Sequence, residues 1–140
     1  MTSSLRKQIF WDIYQKLEHN PTTLELFGTG NESRDYIFVT DLVMALECVI
    51  QKADMLGEFY NLASGIETTI REAVGIYIGA LRRTTTCKFN NKVRPGDPLN
   101  WRADISKIKK LGFLPVKDLA GGLAELATWI AGNRGRDERN

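Results

Sequence analysis

Leu24-Glu25-Leu26-Phe27-Gly28-Thr29-Gly30-Asn31-Glu32-Ser33-Arg34-Asp35-Tyr36-Ile37-Phe38-Val39-Thr40-Asp41 is the stretch from which the rest of the chain can be read. Leu24 to Phe27 alternates in the manner of a short half-buried strand. Gly28 to Ser33 gathers turn formers and predicts a loop, and Asp35 to Val39 is rich in β-formers and predicts a second strand. Thr40-Asp41 then supplies an N-cap for a long helix with an apolar stripe at Leu42, Val43, Leu46, Val49 and Ile50, ending near Asp54. Strand, loop, strand and helix in direct succession is a mixed α/β pattern.

The pattern continues on both sides. Upstream, Ile9, Ile13 and Leu17, flanked by Phe10 and Tyr14, predict an amphipathic helix that His19-Asn20-Pro21 ends. Downstream, Phe59 to Leu62 reads as a short buried strand closed by Ser64-Gly65. Thr69-Ile70-Arg71-Glu72 is a capping box opening a helix with Ile70, Ala73, Val74, Tyr77, Ile78 and Leu81 inward. Gly75 and Gly79 share one face of that helix and predict close packing on a sheet. Thr84 to Phe89 favours a strand, and Arg94-Pro95-Gly96-Asp97-Pro98 a rigid loop. Asp104 caps a short basic helix with Ile105, Ile108 and Leu111 inward and Gly112 at its stop. Beyond Pro115, a last helix runs from Asp118 to about Ala131 on Leu119, Leu123, Leu126 and Ile130. The tail over 132–140 carries three Arg and no apolar residue and is expected to be disordered, leaving one domain over 1–131.

Composition bounds what such a chain can do. At 140 residues with 43% hydrophobic and 26% charged residues, it can bury roughly 70% of its unfolded surface and needs neither disulfides nor a structural metal. Nineteen Lys+Arg against 17 Asp+Glu give +2, with both signs interspersed, so no nucleic-acid or anionic-membrane footprint is expected. No apolar run approaches the roughly 20 residues of a membrane helix and the N-terminus has no signal-peptide pattern, which predicts a cytoplasmic location. Cys48 and Cys87 are far apart and His19 is the one histidine, so no Cys/His metal set can be assembled.

Catalytic chemistry is hard to find. His19 lies at a helix end, where a solvated or capping imidazole is the plainer reading, and no serine has a Gly-x-Ser-x-Gly context. Gly28-Thr29-Gly30 resembles the start of a dinucleotide fingerprint, but Ser33 replaces the third glycine and a β-rich run follows instead of a helix. No pyrophosphate cradle for a nicotinamide cofactor is therefore expected. What remains is Arg34, between a glycine loop and a β-rich run, and Arg94, at the head of a Pro-Gly-Asp turn. Each guanidinium offers a planar fork of donors that matches phosphate oxygens, so a shared cleft would suit a diphosphate. The alternative is a structural ion pair with Asp35, Asp97 or Asp104.

The ordered blocks carry a resemblance. Leu26-Phe27-Gly28-Thr29-Gly30, Arg34-Asp35-Tyr36-Ile37-Phe38-Val39-Thr40-Asp41, Tyr60-Asn61-Leu62-Ala63-Ser64-Gly65, Arg94-Pro95-Gly96-Asp97, Ala103-Asp104-Ile105-Ser106-Lys107 and Leu111-Gly112-Phe113-Leu114-Pro115 resemble the C-terminal half of the NAD-dependent epimerase/dehydratase family, the extended short-chain dehydrogenases acting on nucleotide sugars. The resemblance covers about Gln8 to Ile130. It implies an α/β fold: a small mixed α/β substrate-binding lobe plus the last strand and helices of a Rossmann-type sheet, without the main cofactor-binding half. Tyr60-Asn61 would belong to the strand added to that sheet.

In such enzymes the N-terminal half carries the glycine-rich cofactor loop and a Tyr-x-x-x-Lys pair. Here Tyr14, Tyr36, Tyr60 and Tyr77 are followed four positions on by Glu18, Thr40, Ser64 and Leu81. The resemblance therefore implies a nucleotide-diphosphate-sugar binder that lacks catalytic residues and cofactor of its own, NAD or NADP belonging to a complete enzyme with the missing N-terminal cofactor-binding half. Arg34 and Arg94 would hold the diphosphate and Asp97 the ribose hydroxyls. Glu25 and Phe27 would line the base pocket, chiefly through backbone groups at the strand edge. Asp35 and Asp41 read as structural, the latter as a helix N-cap. The family reaction is hydride removal from the sugar by NAD to a keto intermediate, with the tyrosine as base; this half would contribute positioning, an effect of roughly 7 kcal/mol at the low end for well-oriented groups. Self-association through uncovered apolar faces is expected. A stand-alone protein-interaction module derived from the same fold is the competing expectation.

Overall fold

Leu24 and Leu26 turn inward while Thr23 and Glu25 face out, and this alternation sets the larger layer of the fold. The computed structural model describes residues 8–92, 96 and 98–133. Strand β1 (Thr23–Leu26) pairs in parallel with β4 (Thr86–Phe89), Leu26 standing opposite Phe89. A parallel pair needs a long crossover. That crossover contains β2 (Ser33–Asp35), α2 (Val39–Lys52), β3 (Glu67–Thr69) and α3 (Ile70–Ala80), with β2 and β3 forming a separate antiparallel pair. Helix α1 (Ile9–His19), α3 and α5 (Leu119–Asn133) share one core with the inner face of β1, built on Ile13, Leu17, Leu24, Val74, Tyr77, Leu123 and Ile130. A second core gathers Ala45, Ala63, Ile105, Ile108 and Phe113 around α2 and the short α4 (Ser106–Lys110).

Polar groups join the two cores. Asp41 is 1% exposed, and its Oδ2 accepts the N–H groups of Val116 (3.1 Å) and Lys117 (2.9 Å). Phe38, just before α2, packs against Gly122 of α5 so closely that a Cβ there would lie 2.8 Å from the ring. Lys117 lies over the Phe38 ring and pairs with Glu125. Asp35 gathers a third junction: Oδ1 accepts from Ser64 N and Oγ, and Oδ2 from Gly65 N and Ala103 N. Asp35 is thus structural, as its sequence context implies.

The capping box at Thr69–Glu72 forms as expected, with Thr69 Oγ1 accepting from Glu72 N at 3.2 Å and Glu72 Oε2 accepting from Thr69 N at 3.0 Å. Other expectations need correction. The second strand lies at Ser33–Asp35 rather than Asp35–Val39, because pairing with β3 outweighs the β-propensity of Tyr36 to Val39. Helix α2 opens at Val39 with Phe38 at the cap position, so Asp41 does not cap its own helix but spends its carboxylate on the 116–117 backbone. The face of α2 that turns inward is Asp41, Ala45 and Val49, whereas Val43, Leu46 and Ile50 are exposed. Phe59 to Leu62 forms no strand, for it has no sheet neighbour among the described residues, and Phe59 is 81% exposed. Gly75 and Gly79 face open space rather than a sheet. Helix α5 runs to Asn133, and the remaining tail lies outside the described residues.

Candidate functional site

The turn after β1 is a junction. Gly28 and Gly30 take φ of +87° and +83°, a region that favours glycine, and the turn between them aims the Thr29 and Gly30 N–H groups at one point. That point is filled by the chain itself. The Glu32 carboxylate accepts from Thr29 N at 2.9 Å and from Gly30 N at 2.9 Å, and takes the Thr29 hydroxyl as well. Burial pushes this carboxyl up, but the Thr29 and Gly30 N–H groups outweigh it and hold Glu32 below the usual carboxylate range. The turn is also tied to three neighbours. Arg71 donates from Nη2 to Thr29 O at 2.6 Å and from its backbone to Gly30 O; Ile70 N reaches Glu32 O; and Gly28 exchanges backbone bonds with Asn91 and Lys92. The Arg71 guanidinium lies 4.6 Å from the Phe89 ring centroid.

Directly after this turn comes Arg34. Its Nη1 donates to Ser33 O at 2.7 Å and to Pro98 O at 2.9 Å. Ser33 N donates to Leu99 O at 2.8 Å, and the buried Ser33 Oγ donates to Glu67 and accepts from Trp101 N. The chain leaving β4 is thus anchored to Gly28 through residues 91–92, and the chain re-emerging at 98–101 is anchored to Ser33 and Arg34. Of the ion-pair partners considered for Arg34, Asp35 points to the opposite side of β2 and is saturated by Ser64, Gly65 and Ala103, and Asp104 accepts from Ser106 N. Tyr36 lies close enough to feel the Arg34 charge; burial raises its hydroxyl pKa and the guanidinium works against that.

Arg94 and Asp97 lie outside the described residues. Phe27 follows β1 instead of ending it and is 54% exposed. Glu25 is on the open side of β1, opposite Lys88, beside a shallow groove lined by Gln15, Lys16, His19, Asn20 and Thr23. One edge of β1 is taken by β4, and its other edge has no strand partner among the described residues. Sequence reasoning passed over Glu32, Ser33 and Arg71. A carboxylate two residues after a Gly-x-Gly turn was the available signal for Glu32.

The Gly28–Gly30 turn does not have the form of a pyrophosphate cradle for a nicotinamide cofactor. The two backbone donors of the Gly28–Gly30 turn are spent on Glu32, and β2 follows where a phosphate-binding helix N-terminus would be required. Among the described residues there is no cluster of three metal-ligating side chains and no helix long and apolar enough to cross a membrane.

Residues 2–63 match the NAD dependent epimerase/dehydratase family. The chain is 31% identical over 120 residues to an uncharacterized UDP-glucose epimerase, YtcB, of Bacillus subtilis, covering 85% of this chain and 37% of that protein. It is 28% identical over 125 residues to dTDP-glucose 4,6-dehydratase of Neisseria gonorrhoeae, covering 81% of this chain and 36% of that one. Among solved structures, a UDP-glucuronic acid 4-epimerase variant of Bacillus cereus, in complex with UDP-4-deoxy-4-fluoro-glucuronic acid and NAD, superposes with a TM-score of 0.79 at 26% identity, over 91% of this chain and 40% of that one. The chain is a relative of the NAD dependent epimerase/dehydratase family and has the mixed α/β fold of part of its members. It spans little more than a third of the length of the curated relatives it matches.

Proposed function

We propose that this relative of the epimerase/dehydratase family forms the nucleotide-sugar-binding part of such an enzyme, with Arg34 and Arg94 on the diphosphate, Asp97 on the ribose, and Glu25 and Phe27 beside the base. The observation that carries the reading is the double anchorage around positions 93–97, whose flanks are tied to Gly28 on one side and to Ser33 and Arg34 on the other. In sequence, Arg94 stands between these two anchored flanks, two residues after Lys92 and four before Pro98. Arg34 is itself part of the second anchor through its bond to Pro98 O, which supports its assignment to the diphosphate. The Gly28 turn and the 91–92 segment follow the C-terminal ends of the parallel strands β1 and β4, the end at which α/β folds bind ligands.

The role is positioning. Two planar forks fix a diphosphate in one orientation and so set where the attached sugar lies, whereas the Tyr-x-x-x-Lys pair and the cofactor loop are absent from this sequence. Hydride chemistry in the complete enzyme would draw on NAD or NADP held elsewhere. The test is calorimetric titration of wild type, Arg34→Ala, Arg94→Ala and Arg94→Lys with UDP and dTDP. Loss of a charge-assisted bond should weaken Arg94→Ala by about one to two orders of magnitude, with Arg94→Lys recovering only part. Unchanged affinity in both alanine variants overturns the reading.

A protein-interaction module is the second reading, favoured by the exposed Val39, Val43, Leu46 and Ile50 on α2. Exposed apolar faces of that extent favour self-association of this chain, which light scattering across a dilution series checks. Nucleotide binding with a dilution-stable monomer would exclude it.

A further inference from the structure

We propose that Glu32 is a positioning residue for the diphosphate, its carboxylate clamping the 28–30 turn so that Arg34 and the 91–92 anchor keep one fixed relation. The inference rests on the nucleotide-binding reading above and concerns a residue that reading does not use. Three donors converge on the carboxylate: the N–H groups of Thr29 and Gly30 at 2.9 Å each and the Thr29 hydroxyl at 3.2 Å. The contact is close enough that a Cβ on Gly28 would lie 2.9 Å from either carboxylate oxygen. With its charge directed into the turn, Glu32 can stand near an anion site without facing the anion.

The clamp reaches the proposed site from two sides. Gly28, at one end of the turn, donates to Lys92 O at 3.1 Å and accepts from Asn91 N at 2.9 Å, fixing the 91–92 segment against the turn. Glu32, at the other end, accepts Ile70 N on its backbone oxygen and leads through Ser33 into Arg34. Two glycines at positive φ have many conformations open to them, and the carboxylate holds the one in which the Thr29 and Gly30 N–H groups converge. Arg71 ties the same turn through carbonyl oxygens, so it leaves the Thr29 and Gly30 N–H groups to Glu32.

The experiment compares wild type with Glu32→Ala and Glu32→Gln by calorimetry, using UDP and dTDP against UMP and dTMP, together with the amide resonances of Thr29 and Gly30. Glu32→Ala should weaken the diphosphates by about ten- to a hundredfold and the monophosphates by no more than about threefold. Glu32→Gln, whose carbonyl can accept the same N–H groups, should restore most of the loss and return both amide resonances toward their wild-type positions. If the alanine variant does not fold, Glu32→Asp, one methylene too short for the turn, carries the same comparison. Equal losses for both nucleotide classes would mean general destabilisation, and tighter diphosphate binding would mean that the emptied turn is itself the anion site; either overturns the proposal, as does unchanged affinity. Wild type that binds none of the four nucleotides overturns the functional reading instead.

Discussion

Replacing Asp41 by alanine should cost about 3–4 kcal/mol of folding stability. The carboxylate is 1% exposed and both of its backbone donors, Val116 N and Lys117 N, fall on the same oxygen, Oδ2. A hydrogen bond to a charged group contributes about 1.5–3 kcal/mol, and two that share an oxygen are worth less than twice one, which places the pair near 3–4. Its position in the first turn of α2 adds a smaller favourable term from the helix dipole. Asp41→Asn keeps an acceptor and loses the charge, so about half the effect is expected. Urea denaturation followed by circular dichroism measures it: the midpoint should fall at unchanged slope, with a Tm lower by about 10–15 °C for alanine. A loss below about 1 kcal/mol would show that the 116–117 backbone finds other partners and that Asp41 does not join the two cores.

Gly75 and Gly79 lie within α3 with nothing within 4 Å of where a Cβ would stand, so alanine at either should stabilise by about 0.5–1 kcal/mol in the same denaturation assay; destabilisation would mean that the face is covered in solution. Tyr77 is wholly buried, and burial pushes its hydroxyl up to about 12 from 10. A raised acid pKa favours the neutral form in the folded state, so the stability it brings is complete below pH 10 and is lost as pH rises toward 12. Phenolate absorbance at 295 nm should lag in the folded chain and complete only on alkaline unfolding; a full change by pH 10.5 would refute this.

Helix identity was legible wherever a side chain announced it. Thr69 and Glu72 sit at capping-box spacing and form the box, and Ile13 and Leu17 sit at helical spacing and are wholly buried. The strand after the glycine turn was misplaced because Tyr36 to Val39 has high β-propensity, while Ser33 to Asp35 pairs through backbone contacts with β3, which no local pattern encodes. Asp41 was misread for a related reason: Thr40-Asp41 before an apolar run looks like a cap, and its actual donors lie 75 and 76 residues away. In the candidate site, the arginines were visible as residue types, but Glu32 was passed over because a carboxylate folding back on its own turn carries no periodic signal.

The inversion of α2 has a physical explanation that reaches function. Its sequence is apolar on two sides, Ala45 and Val49 inward and Val39, Val43, Leu46 and Ile50 outward, and a helix of that kind is ordinarily covered on both. The pattern specified a helix correctly and could not say which apolar side the described chain would cover. Phe59 to Leu62 has the same character: a strand-forming run without a neighbouring strand. The relatives are nearly three times as long as the stretch they share with this chain. The turn around Glu32 and the ties from Ser33, Arg34 and Asp35, by contrast, are complete within the chain. The polar ties of the turn are therefore made within the described chain, while the outer face of α2 and Phe59 stay apolar and exposed. This division is compatible with the proposed role, in which the chain would hold a nucleotide sugar.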